Sequence, residues 1–358
     1  MLIAGYVDTV DHLSRLTGGI LYDFMIGKRF SASGWDVEYC NLESLPRYAK
    51  MLKFPAAGII SRRYTGKFDV LVTDLGSSSL TLGLQRKERC RGRFTVLICH
   101  HFRGNLERTA VKRLLYRWTE KRIVSEADFI VANSSLTVRK LKEFGRSDKD
   151  ILLARPGLNV RLAQKPGFRE NPTRLLLVGN VESRKGIVEA VKALAYSGLE
   201  SVELRIAGES DFEQGYLEKV EDCIDELGLT GTVHLLGRLT DEELKIEYER
   251  ADAFVLPSFW EGYGMAIAEA MAYGLPVIST TAGAIPDMVT DGVSGLLGKP
   301  GDWRTTGTNI RRIFSEPDLR KNLAEQALHA AAMFPSWDDT TRKVLEAVQS
   351  RAGFPVKN

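Results

Sequence analysis

The 358-residue sequence has few cysteines and no apolar run of membrane-spanning length. Its cysteines form no CxxC pair and have no nearby histidine at metal-ligand spacing, so we expect neither a zinc site nor a disulfide framework. The first residues read as a buried strand and lack the charged start and cleavage site of a signal peptide. We therefore expect a cytoplasmic protein with free thiols, at Cys40, Cys90, Cys99 and Cys223.

Acidic pairs with metal-binding spacing are also scarce. The one DxD is Asp148-Lys149-Asp150, in a polar loop before a predicted strand. Such a segment is more typical of a helix-to-strand turn than of a divalent-metal site. The sequence therefore predicts no bound metal and no cofactor.

Charge is distributed unevenly although the net charge is only +3. Residues 1–165 hold 29 Lys and Arg against 16 Asp and Glu, a net charge of +13, and the remainder holds 20 against 30, a net charge of −10. This asymmetry predicts an anionic partner for the N-terminal half, such as a membrane surface, a phosphorylated acceptor or nucleic acid.

Short β-rich apolar runs alternate with helix-length amphipathic segments, which is typical of βα units around a parallel sheet. The predicted strands are 2–7, 37–40, 70–73, 95–99, 129–132 and 151–154, then 174–178, 203–207, 233–236, 253–256 and 277–279. A polar stretch with two prolines, 163–172, separates the two series. The sequence thus predicts an α/β protein of two doubly wound, Rossmann-like domains, 1–165 and 166–335, with a final helix in 336–358 that packs back on the first.

The most informative segment is 257–278, which reads PSFWEGYGMAIAEAMAYGLPVI. A buried strand ends at its start, a turn with Gly262, Tyr263 and Gly264 follows, and a helix is predicted to begin near Met265. Glycines let a ligand approach the backbone, and the N–H groups of a first helical turn favour a diphosphate. This segment is therefore a candidate phosphate-binding turn.

Two glutamates of this segment are placed to bind one ligand at two points. Glu261 lies in the turn and Glu269 lies inside the helix, and carboxylates accept well from pairs of sugar hydroxyls. The spacing, with its surrounding residues, resembles the E-x7-E motif of the retaining glycosyltransferases of family 4, which have the GT-B fold of two facing Rossmann-like domains. The resemblance implies that Glu269 holds the ribose hydroxyls of a nucleotide-sugar donor and that Glu261 contacts the transferred sugar.

A second segment, GNVESRKG at 179–186, follows a predicted strand and resembles the family's G-R-x-x-x-x-K-G loop. The resemblance implies that the loop neutralises the donor diphosphate through an arginine and a lysine. Lys185 matches the lysine, but Asn180 stands where the family has arginine. Arg184 is adjacent to the lysine, and its guanidinium suits phosphate, so we expect it to supply the missing charge.

Weaker resemblances extend over most of the chain. Gly237 and Arg238 match a loop beside the nucleotide base, although Arg238 can equally be an exposed side chain. Gly18 and Gly19 match the glycine loop that meets the diphosphate from the N-terminal domain, and an ordinary strand-to-helix turn is the alternative. His100 and, less well, His101 follow a predicted strand where the family often has a histidine near the donor sugar.

The site predicted in this way combines both halves of the chain. Its catalytic residues are Glu261, His100, Lys185 and Arg184. Its donor-binding residues are Gly18, Gly19, Asn180, Arg184, Lys185, Gly237, Arg238, Glu261, Gly262, Tyr263, Gly264, Met265 and Glu269.

The family resemblance also implies transfer with retention at the anomeric carbon, with no enzymic nucleophile, because the departing diphosphate accepts the proton of the acceptor hydroxyl. Basic and aromatic residues interleave in 47–67 and 108–122. Either stretch suits an anionic membrane and hence a lipid or lipid-linked acceptor, or else is a solvated helix face. No reader motif accompanies the charge, so nucleic acid is not expected. The rival hypotheses are an epimerase of the same fold and a non-catalytic sugar-nucleotide-binding partner of another transferase.

Overall fold

The structure is a computed structural model that describes residues 2–5, 17–41, 62–76, 78–102, 104, 109–158 and 169–354. The chain divides into two compact units, one formed by Met1–Gly157 with Pro335–Asn358 and the other by Leu158–Phe334. The change of unit after Gly157 falls a few residues before the predicted boundary at 165. Much of the predicted linker, 163–168, and the stretch 47–61 lie outside the described residues.

The first unit contains a six-stranded parallel sheet, as the alternation of strands and helices predicted. Strand order is β2-β1-β3-β4-β5-β6, and each strand starts and ends within two residues of its predicted bounds. The strands are β1 Leu2–Gly5, β2 Glu38–Asn41, β3 Val70–Asp74, β4 Phe94–Cys99, β5 Phe129–Ala132 and β6 Ile151–Leu153. Among the described residues before Gly157, the helices are α1 Gly18–Ala32, α2 Ser78–Cys90, α3 Ala110–Glu126 and α4 Ser135–Glu143. Residues 148–150 form the turn into β6 that the sequence indicated.

The C-terminal helix, Trp337–Ala352, is part of this first unit. It begins with a capping box of Ser336 and Asp339, which satisfies N–H groups at the helix start. Trp337 contacts the Tyr22 ring of α1 at a centroid distance of 5.9 Å. The Thr340 hydroxyl donates to the carbonyl of Arg155 at 2.7 Å. Ring packing and hydrogen bonds therefore hold the chain's last helix on the fold that its first residues build.

The second unit contains another six-stranded parallel sheet, in the order β12-β11-β10-β7-β8-β9. The strands are β7 Arg174–Val178, β8 Glu203–Ala207, β9 Val233–Gly237, β10 Ala253–Leu256, β11 Val277–Thr280 and β12 Gly295–Gly298. The helices are α5 Ile187–Ser197, α6 Tyr216–Glu226, α7 Asp241–Arg250, α8 Met265–Ala272, α9 Trp303–Ser315 and α10 Pro317–Ala331, so the C-terminal helix is α11. The sequence prediction missed β12, because its four residues include two glycines and glycine weakens a strand pattern.

Strand order in the second sheet reverses between β7 and β10, which are hydrogen-bonded neighbours. Ligands of open α/β sheets bind beyond the carboxyl ends of the strands at such a switch point. The loop 179–186 follows β7 and the turn 257–264 follows β10. The fold therefore brings the two segments with the strongest sequence signals to one crevice.

Within the described part of the chain, no helix is both long enough and apolar enough to cross a membrane.

Candidate functional site

A glycine joins the two loops at the switch point of the second unit. Gly186 has φ +69°, and a Cβ on it would lie 2.2 Å from the carbonyl oxygen of Pro257. The Phe259 N–H donates to the Arg184 carbonyl at 2.8 Å. Only glycine accepts this dihedral angle and this approach without strain, so the loop after β7 is fixed against the turn after β10.

Glu261 is the buried centre of the site, with 5% of its surface exposed. Its Oε1 accepts from Lys185 Nζ at 2.9 Å and from the Ser258 hydroxyl at 2.8 Å. Its Oε2 accepts from Arg184 Nη1 at 3.3 Å. Burial alone would raise the pKa of this carboxyl. The charges of Lys185 and Arg184 together lower it by a larger amount, so its pKa lies below the ordinary value of a glutamate. Glu261 is therefore a buried, ionised carboxylate held by two cations.

Arg184 is the organising cation of this cluster. Its guanidinium also donates to the Trp260 carbonyl at 2.9 Å and forms an ion pair with Glu182. Burial alone would lower the pKa of Arg184. The charges of Glu261 and Glu182 together raise it by a larger amount and keep the group charged. Two cations and two carboxylates thus balance in this cluster. An anion that binds these two cations would compete with Glu261 for them.

The backbone of Glu261 is fixed from the loop after β11. Its carbonyl accepts from the N–H of Ala284 at 2.9 Å. Gly283 has φ +62°, and a Cβ there would lie 2.0 Å from the same carbonyl oxygen. The carboxylate is therefore presented from a turn held on both sides, which is the preorganisation that a charge-stabilising site needs.

Helix α8 begins at Met265, as predicted, and its N-cap Gly264 has φ +104°. Glu269 lies on this helix and is half-buried. Its Oε2 is 3.0 Å from the Tyr248 hydroxyl, and the Tyr248 ring stacks on Tyr273 at a centroid distance of 4.9 Å. Burial raises the pKa of Glu269, the Tyr248 hydrogen bond lowers it and the charge of Asp241 raises it, and together they bring it to about 7. Glu269 is thus a carboxylate that titrates near neutral pH.

We predict that nucleotide affinity depends on pH through Glu269. An ionised carboxylate offers two acceptor oxygens and a protonated one keeps only its carbonyl oxygen as a good acceptor, so affinity should fall by about tenfold in total as the pH drops below about 7. Tyr248→Phe removes the hydrogen bond that lowers this pKa and should move the midpoint to higher pH. Calorimetric titration of a bound nucleotide across the pH range checks both shifts. A profile unchanged by Tyr248→Phe would contradict the pairing.

The same carboxyl should make stability pH-dependent. Its folded pKa of about 7 exceeds the unfolded value of 4.5. Its contribution to the free energy of unfolding, at most about 3 kcal/mol, is therefore fully present below pH 4.5 and is lost as the pH rises through about 7. Urea unfolding of the wild type and of Glu269→Gln checks this: the variant should lose that part of the pH dependence, and identical pH profiles would refute it.

In the first unit, His100 follows β4 and is paired with α1. Its Nε2 is 3.0 Å from Asp23 Oδ1, and its ring meets Tyr22 edge-on at 5.3 Å. A Cβ on Gly19 would lie 3.3 Å from the ring, so the first turn of α1 packs directly on this histidine. Burial lowers the pKa of His100, but the charge and hydrogen bond of Asp23, with the charge of Asp74, raise it above its ordinary value.

We predict that Asp23→Asn lowers the pKa of His100, because the charge that favours the imidazolium is removed. The chain has five histidines, so NMR titration of their ring protons can resolve the change. The matched control is Asp69→Asn, which removes a surface partner of Arg93 in the same unit. An unshifted His100 resonance in Asp23→Asn would show that the pair does not form in solution.

Gly18 and Gly19, which were predicted to form a loop before the first helix, instead begin that helix, because Thr17 already caps it. Gly18 is the first residue of α1, after the N-cap Thr17. Asn180 follows β7, and its carbonyl accepts from the Glu182 N–H at 2.8 Å. The remaining residues are Gly237, which ends β9 with φ +65°, Arg238 directly after it, and Gly262 and buried Tyr263 in the turn before α8.

The sequence did not indicate three residues that contact the predicted site residues. Ser258 contacts Glu261, Tyr248 contacts Glu269 and Asp23 contacts His100. Ser258 lies in the recognised segment, and its place after a buried strand was the one available signal. Tyr248 and Asp23 meet their partners only through tertiary packing, so no local pattern indicates them.

Comparison with known proteins adds to this geometry. Residues 161–330 match the family model of glycosyl transferases group 1. The D-inositol 3-phosphate glycosyltransferase of Mycobacterium leprae (strain TN) is 30% identical over 247 residues, 65% of this chain and 57% of that protein. Mannosylfructose-phosphate synthase of Agrobacterium fabrum is 26% identical over 253 residues, 65% of this chain and 55% of that protein. The chain thus spans little more than half the length of these relatives.

Solved structures are similar over nearly the whole chain. Sucrose-phosphate synthase from Thermosynechococcus elongatus superposes with a TM-score of 0.80 and 20% identity, covering 98% of this chain and 99% of that one. The HepE protein of Anabaena, solved in complex with UDP and glucose, gives a TM-score of 0.75 and 17% identity at coverages of 98% and 99%. The chain has the GT-B fold, which confirms the predicted fold class. The family model of glycosyl transferases group 1 matches a stretch that lies within the second unit of this fold.

Proposed function

We propose that this protein is a retaining glycosyltransferase of family 4 that moves a sugar from a nucleoside-diphosphate donor to an acceptor hydroxyl. One observation carries the proposal: buried Glu261 is held by Lys185 and Arg184 at the switch point of the second sheet, directly before the N-terminus of α8. Cations, a helix N-terminus and carboxylates in one crevice suit a ligand that has both phosphates and sugar hydroxyls.

Each group then has a chemical role. Lys185 and Arg184, with the first N–H groups of α8, stabilise the negative charge that develops on the departing diphosphate. Glu261 orients the transferred sugar, and Glu269 accepts hydrogen bonds from the ribose hydroxyls. The diphosphate takes the proton of the acceptor, so the protein needs neither a nucleophile nor a metal ion. His100, held by Asp23, positions the sugar.

The acceptor is proposed to be anionic. Residues 1–165 have a net charge of +13, from 29 Lys and Arg against 16 Asp and Glu. Two of the relatives are named for an inositol phosphate and for a fructose phosphate product. A phosphorylated polyol and a lipid or lipid-linked saccharide at an anionic membrane share this chemistry. Transfer assays with each class of acceptor distinguish them.

The test is product analysis by NMR of the anomeric proton. Purified protein is incubated with UDP-, GDP- and ADP-sugars, with and without acceptor, in the presence of EDTA. We expect transfer with the donor's anomeric configuration kept and no loss of rate on chelation. An inverted product would refute retention, and a rate abolished by EDTA would refute metal independence. Donor isomerised without acceptor would identify an epimerase, and binding without transfer or donor hydrolysis would favour a non-catalytic partner.

A further inference from the structure

Helix α3, Ala110–Glu126, presents an apolar face to solvent. Four large side chains are exposed on it, to 81% for Val111, 72% for Leu114, 61% for Leu115 and 59% for Trp118. They lie at i, i+3, i+4 and i+7, which places them on one side of a helix. Packing on the hydrophobic core does not require these apolar side chains, because the core contacts the other side of the helix.

The opposite side of α3 is fixed to the first unit. Ile123 and Val124 are buried in the core beside β4 and β5, and Glu120 is 4% exposed. Glu120 accepts from the N–H of Gly104 at 3.1 Å. The inner face of the helix therefore fixes its rotation about its own axis. The apolar outer face is exposed while a different set of residues packs on the core.

Cations surround the apolar stripe. The exposed basic residues of α3 are Lys112, Arg113, Arg117, Lys121 and Arg122. The Arg122 guanidinium lies over the Trp118 ring, 5.5 Å from its centroid. Of the two acidic residues on the helix, Glu120 is buried and Glu126 is paired with Arg86 and Arg89. The exposed surface of this helix is thus apolar at its centre and cationic around it.

We propose that this face of α3 docks on an anionic phospholipid surface. An interfacial helix buries an apolar stripe at the boundary of acyl chains and headgroups, while lysines and arginines meet anionic headgroups and a tryptophan lies at the interface. A second copy of the chain would bring the same cations against these ones, which disfavours self-association through this face. Nucleic acid would match the cations but leave the leucines exposed.

This inference deepens the proposed function and rests on it in one respect, because a membrane-bound acceptor is useful only to a transferase. Vesicle binding itself requires no donor and no catalysis. The two proposals can therefore fail separately. Donor binding is measured by the nucleotide-induced thermal shift, and membrane docking is measured by cosedimentation.

The experiment is cosedimentation of the full chain with vesicles of phosphatidylcholine, alone or mixed with phosphatidylglycerol, at low and high salt. We expect binding only to the anionic vesicles, weakened by salt. Leu114→Gln with Leu115→Gln should reduce the partition coefficient more than tenfold, and Arg117→Gln with Lys121→Gln severalfold. Because these side chains are exposed, the melting temperature should not change.

Matched controls are Met333→Gln, at a side chain 80% exposed in the second unit, and Lys321→Gln, at an exposed lysine of α10. They should bind vesicles as the wild type does. No binding of wild type to anionic vesicles at low salt would overturn the proposal, as would binding that the α3 variants leave unchanged. Dimers that the α3 variants dissociate, without vesicle binding, would assign the face to a second copy instead.

Discussion

Glu261→Gln is expected to reduce sugar transfer by about 10²- to 10³-fold while the protein still binds the free nucleoside diphosphate. The Glu261 carboxylate pairs with both Lys185 and Arg184. Glutamine keeps the shape but removes the charge, so the sugar loses its orienting group and the two cations remain available to phosphate. Diphosphate affinity should therefore be equal to or higher than that of the wild type.

The same substitution should lower the melting temperature of the free protein. Removing one partner of a buried ion pair costs about 3–5 kcal/mol, because the remaining charge stays desolvated. Added nucleoside diphosphate should restore much of this loss by mass action. The control is Glu182→Gln, which removes the other carboxylate that pairs with Arg184. Transfer within tenfold of wild type in Glu261→Gln would contradict the role assigned to this carboxylate.

Lys185→Gln is expected to reduce transfer by a comparable factor, but with weaker diphosphate binding. Lys185 donates to Glu261 at 2.9 Å and is the cation that the loop after β7 shares with the family pattern. Its loss removes charge stabilisation of the departing diphosphate. It should also raise the pKa of Glu261, because the charge of Lys185 holds that pKa down.

A double-mutant cycle separates these effects. Lys185→Gln and Glu261→Gln should be strongly non-additive in stability, because the second substitution removes the partner that the first leaves unpaired. Kinetics with varied donor, together with diphosphate titration, measure the transfer effect. Lys192→Gln, an exposed lysine on α5, is the matched control and should behave as wild type. Additive stability changes would mean that the ion pair does not form.

The sequence predicted the architecture well because its strands are short apolar runs between helical segments. The strands 129–132, 174–178, 203–207 and 253–256 have the bounds that were predicted. Strand β12 was missed, since Gly295 and Gly298 obscure it. The local sequence pattern is enough to predict a buried strand. A glycine-rich edge strand forms through its hydrogen bonds to the neighbouring strand, which the local pattern does not show.

The candidate site was predictable only in part, because local pattern does not show which side chains meet in the folded chain. Loops after two strands of one sheet must lie near each other, so the closeness of Lys185 and Glu261 follows from topology. Which cation pairs with which carboxylate is a tertiary fact, and so are the partners Tyr248 and Asp23. For α3 the sequence left a solvated face and a membrane face open, and the exposure of Leu114 is an observation from which we propose the second.

Nucleotide binding beside Glu269 is tested by a thermal-shift screen of UDP, GDP, ADP and their sugar conjugates against wild type and Glu269→Gln. A nucleotide that binds the folded state raises its melting temperature by mass action. We expect a clear shift for one nucleotide class in the wild type, its loss in Glu269→Gln, and a larger shift above pH 7 than below it. No shift with any nucleotide, or an equal shift in the variant, would contradict the assignment of this crevice as a nucleotide-sugar site.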